Sequence, residues 1–507
     1  MTQQVVVKLS ISRHGGILFV MLVQNMVIIL DRIKPGYIIV KPGKEEVAKK
    51  LFPDTKITNT GHRYLGSFIG TEEGKDEYVK NKIDNWINEV EELSDIAKRE
   101  PQAAYSAYVY GLCKRWNYIC RTTPDISIHL RKLECTVRDS FIPAILNRAF
   151  SCTDIMREIF ALPCREGGLS INNLGQTSDM EYNSSQCATK DLTEAIFKQN
   201  AEYKEDLDAL KTTKAEISKA RHEYYKQKRQ EITPKLNDSQ KLQLDLAAEK
   251  GASTWLTSLP LQSFGYTLNR QEFNDALALR YNMKIKDAAK KCVCGEMNTV
   301  NHLLICKKGG YVSLRHNSLR DTIAELMSNA GCRDVETEPI LLPVNGTQLP
   351  RGANTSKEAR LDVSARSVWN PLERAFFDVR VFHAQAPSNR SLNTIPNMYR
   401  THESRKKAAY NARVLEIERG TFTPIVFSTT GGMGVEAQTT FKRIALKMSY
   451  KTGQRYCDVI GFIRKRIRFD LLRTTVIALR GYRGKRIEEK VEIADLDINL
   501  EATSGEM

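Results

Sequence analysis

A hydrophobic period of about 3.6 residues runs through the first half of this chain and gives way to alternating element types in the second. That switch limits the fold more than any motif does. From Asp76 to about Arg99 the apolar positions are Tyr78, Val79, Ile83, Trp86, Ile87, Val90, Leu93 and Ile96, one face of a helix. A second run covers Ala103 to Arg121, with Tyr105, Tyr108, Val109, Leu112, Trp116 and Ile119. A third is expected after Pro124-Asp125, capped by Asp125 and ending near Arg138. Residues 76–160 therefore read as all-helical, preceded by RYLGSFIG (63–70), a strand bounded by glycines. ALPCREGGLSI (161–171) breaks the pattern with Pro163 and Gly167-Gly168.

Residues 186–250 are dense in Lys, Glu, Asp, Gln and Ala and read as a charged helical connector. Apolar residues return at Trp255, Leu256, Leu259, Leu261 and Phe264, before a short helix around Phe273–Tyr281. From His316 to Ala330 an amphipathic helix is expected, then a strand over 335–342 and a loop rich in Asn, Gly and Pro to Ser356. Two strands, a basic helix over about 398–419, a strand over 423–428 and two more helices follow. With 507 residues, more than one core is needed. The expected architecture is multidomain: a mainly α N-terminal half, then an α/β domain.

The formal net charge of +16 favours a polyanionic partner over an acidic metabolite. Residues 400–486 alone hold 20 Lys and Arg against 6 Asp and Glu, which reads as a nucleic-acid surface, for DNA and by the same chemistry RNA. Within it, VIGFIRKRIRFDLLRTTVIALRGYRGKR (459–486) is expected to pack by one helix face and meet phosphate with the other. RKRIR could also act as a nuclear signal, although a basic helix face suffices to explain it. From Ile487 to Met507 the sign reverses, and an acidic, disordered tail is expected over 488–507. STTGGMG (428–434) lacks a following Lys-Ser/Thr, so it reads as a strand-to-helix turn and not as a nucleotide loop.

ILFVMLVQNMVIIL (17–30) is only 14 residues and contains Gln24 and Asn25, short of the ~20 a spanning helix needs. A buried helix or strand pair is the expectation, with no membrane partner. Most of the 11 cysteines are isolated and read as reduced core residues of an intracellular protein.

ARLDVSARSVWNPLERAFFDVRVFH (359–383) carries the candidate chemistry. Aspartate is depleted in strands, yet two neighbouring strand patterns each keep one, Asp362 and Asp378. Alternation puts Phe376, Asp378 and Arg380 on one face, with Phe377, Val379 and Val381 on the other. Adjacent strands could bring both carboxylates to one divalent ion. Mg2+ or Mn2+ would take such a pair together with phosphate oxygens, polarise the phosphoryl group and supply a hydroxide for in-line attack. Glu338, on the preceding strand, is the candidate third acid. Arg380 could stabilise charge, and Lys406, with Tyr410 four residues on along the same helix face, could stand beside the nucleophile. A surface hairpin with two unrelated salt bridges also meets this spacing.

Cys292, Cys294, His302 and Cys306 form C-x-C-x7-H-x3-C. Three thiolates and an imidazole can close a tetrahedral structural zinc site. Two core cysteines with a satisfied histidine are the plainer alternative.

These features together resemble non-LTR retrotransposon proteins. The order of acidic strand, Asp362, hairpin, Asp378-x-Arg380 and a helix with Lys406-x3-Tyr410 is similar to their restriction-endonuclease-like domain, a PD-(D/E)xK core whose lysine has moved onto a helix. The resemblance implies metal ligation by Asp362 and Asp378, Lys406 as the migrated lysine and Tyr410 as its partner. Leu361 stands where the family has proline, and the long interval to the helix leaves Lys407 as a rival to Lys406. The cysteine cluster resembles the CCHC motif that precedes this domain. RYLGSFIG resembles the family's primer-grip strand pair, and ALPCREGGLSI its LP-x3-GGL segment. The AAYSA at 103–107 and the WLTSLP at 255–260 are similar to further family segments.

The implied organisation is a divergent start and palm remnant (1–60), a thumb-like helical domain (61–185), the connector (186–250), a segment with the CCHC motif (251–310), the endonuclease-like domain (311–487) and the tail (488–507). Residues 1–34 do not match the family, and the resemblance would put the fingers and most of the palm before residue 1. Polymerase chemistry needs a Tyr-x-Asp-Asp turn, and the chain has no Asp-Asp dipeptide, so no polymerase activity is expected.

Overall fold

The computed structural model describes residues 5–7, 19–23, 26–30, 37–40, 43, 45–51, 53, 56–147, 152–200, 202–389, 391–392 and 394–483. The expected tail over 488–507 lies outside the described residues. Phe19–Val23 and Met26–Leu30 pair antiparallel, so the apolar opening is a strand pair. No described helix is long and apolar enough to cross a membrane. RYLGSFIG is a hairpin and not a single strand: Gly61–Tyr64 pairs with Ser67–Gly70. Leu65 and Gly66, at φ +45° and +86°, make the tight turn between them.

The first long helix, Glu72–Ala97, begins where the Thr71 side chain accepts the Gly74 N–H. The second spans Pro101 to Thr122 through a π-helical turn at Ala107–Leu112. The third begins at Arg131 and runs to Leu146, later and longer than its apolar pattern suggested. Asp125 does not cap it, because Asp125 sits in the left-handed region at φ +58°. Trp86 stacks on Trp116 and Tyr108 on Phe141, at centroid distances of 5.5 and 4.5 Å.

The glycine pair of the 161–171 segment is sterically required. Gly167 has φ +93°, and a Cβ on Gly168 would lie 2.0 Å from the Leu162 carbonyl oxygen. The Tyr105 hydroxyl donates to the Leu169 carbonyl (2.8 Å), and Ser253 Oγ donates to that of Cys164 (3.0 Å). The helical core continues without a break through Trp255, Phe273 and Leu303 to Phe469, Leu472 and Val476 of the last helix. Between these parts, Leu174–Phe197 and Leu207–Ile232 form two long helices, the second with mostly exposed side chains. The second is anchored where Tyr225 and Ile232 pack on Leu162, Leu236 and Leu244.

The C-terminal part is a mixed α/β unit. Its elements are α1 (Tyr311–Asn329), β1 (Arg333–Thr337), β2 (Val363–Arg366), β3 (Arg374–Phe382), α2 (Ile395–Arg413), β4 (Thr421–Ser428), α3 (Val435–Thr452) and α4 (Tyr456–Arg480). The four strands lie in the order β4-β3-β2-β1, with β3 and β4 parallel and the other pairs antiparallel. Phe377, Val379, Ile425 and Phe427 pack against α1, α3 and α4. Phe376, Phe382, Phe422 and Val426 face the opposite way, towards α2 and its extension at Val414. The strand alternation read from the sequence thus sets two layers of helices around one sheet.

Three boundaries differ from expectation. β1 ends at Thr337, because Glu338 turns into the left-handed region at φ +52°. The basic helix stops at Arg413 and passes into a π-helical turn, Val414–Glu418. α4 ends at Arg480 and does not keep one face in water along its length: among residues 467–479 only Ile477 is exposed. The cause is tertiary, since α4 is wedged between the sheet and the helical core and contributes side chains to both.

Candidate active site and metal centre

β2 and β3 are paired up to Val363 and Phe377, and beyond that point β3 continues to Phe382 with β4 alone. Asp362 and Asp378 are the next residues on the two diverging strands. Leu361 packs with Phe376 on the α2 side, whereas Val363 packs on the α1 side. The alternation therefore slips at Asp362. Its Oδ2 accepts the Val379 N–H at 2.5 Å, a donor that β2 has ceased to cover. His316 Nε2, on α1, lies 3.1 Å from the same oxygen and 3.1 Å from the Val379 carbonyl. Asp362 and His316 complete the ladder of β3 where its neighbour departs.

Asp378 is 6% exposed and faces α2, where Lys406 Nζ lies 2.5 Å from its Oδ2. Burial pushes the Asp378 carboxyl up, Lys406 pulls it part of the way back, and the nearby Asp362 carboxyl pushes it further, to about 7. Burial acts in the same direction on Asp362. There it is outweighed by hydrogen bonds from His316, Asp378 and the Val379 N–H, which leave that carboxyl below its usual value. Two interacting carboxyl groups in unequal surroundings divide in this way, one holding the proton and the other the charge.

Lys406 stands 5.9 Å over the Tyr410 ring, whose hydroxyl accepts from Asn354 Nδ2 at 3.3 Å. The rival Lys407 instead pairs with Glu436 on α3. α2 is pinned in this orientation by Arg413, fully buried, which donates to the Leu342, Asn354 and Ser356 carbonyls. Arg380 is exposed, and its side chain has no ion pair or hydrogen bond among the described residues. Glu338 does not join the aspartates. It is paired with Arg320 of α1 and lies 3.8 Å from Arg360. Among the described residues, no group of three mutually close acidic ligands forms around Asp362 and Asp378.

His316 and Arg320 are the site residues that sequence reasoning passed over. They sit one helical turn apart on α1, and each takes one of the acids. The signal was HNSLR (316–320), a His-x3-Arg pair on an amphipathic helix just before the acidic strands.

The cysteine cluster does assemble. The ligand atoms of Cys292, Cys294, His302 and Cys306 all lie within 4.8 Å of one another. Cys292 Sγ and Cys306 Sγ are 3.8 Å apart, Cys294 Sγ and Cys306 Sγ 4.0 Å, and Cys294 Sγ and His302 Nε2 3.3 Å. A tetrahedral zinc with ~2.3 Å bonds to sulfur requires sulfur–sulfur edges of about 3.8 Å. A disulfide would need sulfurs about 2.05 Å apart, so the thiols are free for a metal. A turn through Gly295, at φ +93°, brings the first two cysteines together. Thr299 caps the short helix Val300–Ile305 that carries His302. Burial raises the Cys292 thiol, but the Cys294 N–H, His302 and the two other thiols bring it down to about 6. The donor set fits a structural Zn2+, with no open position for catalysis. Arg315 and Arg483 dock this module by donating to the Leu304 and Leu303 carbonyls, each at 3.0 Å.

Comparison with protein-family models finds no match to this chain, and comparison with curated proteins finds none either.

Proposed function

We propose that this chain is a metal-dependent DNA endonuclease of non-LTR retrotransposon origin, in which a restriction-endonuclease-like domain follows thumb-like helices and a CCHC zinc module. The sequence has no Asp-Asp dipeptide, so the reading assigns it no polymerase step. The observation that carries the reading is the convergence of Asp362, Asp378 and Lys406 at the point where β2 parts from β3. A buried and a half-buried acid beside an ammonium, next to a strongly basic region, suit phosphodiester hydrolysis.

Asp362 and Asp378 would hold Mg2+ or Mn2+, which supplies Lewis-acid charge and a nucleophilic hydroxide. The chain's own residues prepare that site. His316 and the Val379 N–H keep Asp362 ionised and fixed in orientation. Lys406 has three donors on a flexible stem and can serve a phosphoryl oxygen as well as Asp378. The Tyr410 ring faces the Lys406 ammonium, and Arg380 stands exposed to take a neighbouring phosphate.

The test is nicking of supercoiled DNA with Mg2+ or Mn2+, with Mn2+-dependent thermal stabilisation as a second readout. Asp362→Asn and Asp378→Asn should each lose both. Undiminished cleavage by either variant refutes the assignment.

A second reading, a catalytically inactive nucleic-acid-binding remnant, is favoured by one observation. Glu338 is tied to Arg320, which leaves two carboxylates where a third would help. In that case the parent binds DNA with a strong salt dependence and never nicks it.

A further inference from the structure

We propose that the chain has a second anion site, a pocket for a phosphoryl group built around Arg468. α4 carries this residue into the seam between the Gly-rich turn after β4 and the segment 249–254. Arg468 is 4% exposed, yet its Nε and Nη1 have no hydrogen-bond partner. An orphaned buried guanidinium is a costly feature that a ligand can relieve.

Glycines make the room for it. Gly251 and Gly431 have φ +91° and +105°, and a Cβ on them would lie 2.9 Å from Nη2 and 3.1 Å from Nη1 respectively. Glu249 shares the seam and attracts the Arg468 guanidinium across it, but it makes no ion pair with Arg468 and its Oε2 lies 3.2 Å from Ser428 Oγ.

Beside the guanidinium is a cavity of about 240 Å3 whose walls include Lys250, Thr254, Gln438 and Arg464. No carboxylate lines it. Lys250 and Arg464 are exposed, and their side chains have no ion pair or hydrogen bond among the described residues. Three cations thus surround one space with no counter-charge inside it. A compact anion with several oxygens matches a guanidinium fork and an ammonium together, which selects a phosphoryl group. The same chemistry is offered by a nucleic-acid backbone and by free phosphate.

The experiment uses the full zinc-loaded chain with no added Mg2+ or Mn2+, so that the acid pair holds no ion. Inorganic phosphate is titrated calorimetrically at fixed ionic strength, with chloride as the control. Saturable binding is expected. The exposed double variant Lys250→Ala/Arg464→Ala, whose fold is checked by an unchanged melt, should bind phosphate about tenfold more weakly or worse. A single-stranded oligonucleotide is titrated in parallel. Weaker oligonucleotide binding by the variant identifies backbone phosphate as the ligand. Unchanged oligonucleotide binding with lost phosphate binding identifies free phosphate. Absence of saturable phosphate binding by the parent, or equal binding by parent and variant, overturns the site.

Discussion

Replacing Asp378 with asparagine should remove a specific pH dependence from the stability of the protein when no Mg2+ or Mn2+ is at the acid pair. The carboxyl is raised by burial and by Asp362 from 3.8 to about 7. That gap of about three units corresponds to about 4 kcal/mol at ~1.36 kcal/mol per unit. The sign follows from the raised value. The folded chain keeps a proton that the unfolded chain releases, so the contribution is full below about 3.8 and is lost as the pH rises through about 7. Between pH 5 and pH 8 roughly two of those units are crossed, and the wild type should lose about 3 kcal/mol relative to Asp378→Asn. Asp362 does not blur the comparison, because its lowered value places its own titration below this window. The assay is urea unfolding of the zinc-loaded chain at pH 5 and pH 8 with no added Mg2+ or Mn2+, comparing the change in the variant with that in the wild type so that groups not in contact with Asp378 cancel. Parallel pH dependences, within about 0.5 kcal/mol, would refute the view that Asp378 is squeezed between burial and a second carboxyl. At pH 8 the variant should be the more stable protein while losing any metal-dependent nicking, a stability–function trade of the usual kind.

Other consequences can be checked separately. The purified chain should release a single zinc ion per molecule to a chromophoric chelator, and Cys306→Ser should weaken zinc affinity by more than about 100-fold and expose the 292–306 segment to trypsin. His316→Ala should cost about 1.5 kcal/mol at pH 6 and less at pH 9 in urea unfolding. Asp362 raises the His316 value, so this contribution is present below 6.5 and fades as the pH passes the raised value. In the helical half, Glu134→Ala leaves the buried Arg157 without its carboxylate partner and should cost about 3–5 kcal/mol, read as a fall in melting temperature.

Much of the framework was legible in local pattern. The 3.6-residue stripe of Val79, Ile83, Trp86 and Val90 appears in the structure as a buried helix face. The alternation around Asp378 appears as two opposed faces of β3. The spacing of Cys292, Cys294, His302 and Cys306 appears as one four-ligand cluster. Each of these depends on repeat geometry within a few residues, which a sequence carries directly. Boundaries were less legible where a single backbone angle decided them, as at Asp125 and Glu338.

By itself, then, the chain's sequence determined where most helices and strands run, though not their ends, which strand face carries Asp378, and which four side chains could share a metal. Only the tertiary structure decided that Lys406 and not Lys407 reaches Asp378, that His316 holds Asp362, that Glu338 is drawn off by Arg320, and that Arg468 is buried without a partner. Those outcomes depend on the slip of β2 at Asp362 and on how α1, α2 and α4 lie across the sheet. They are set by packing between segments far apart in the chain, and no local period records them.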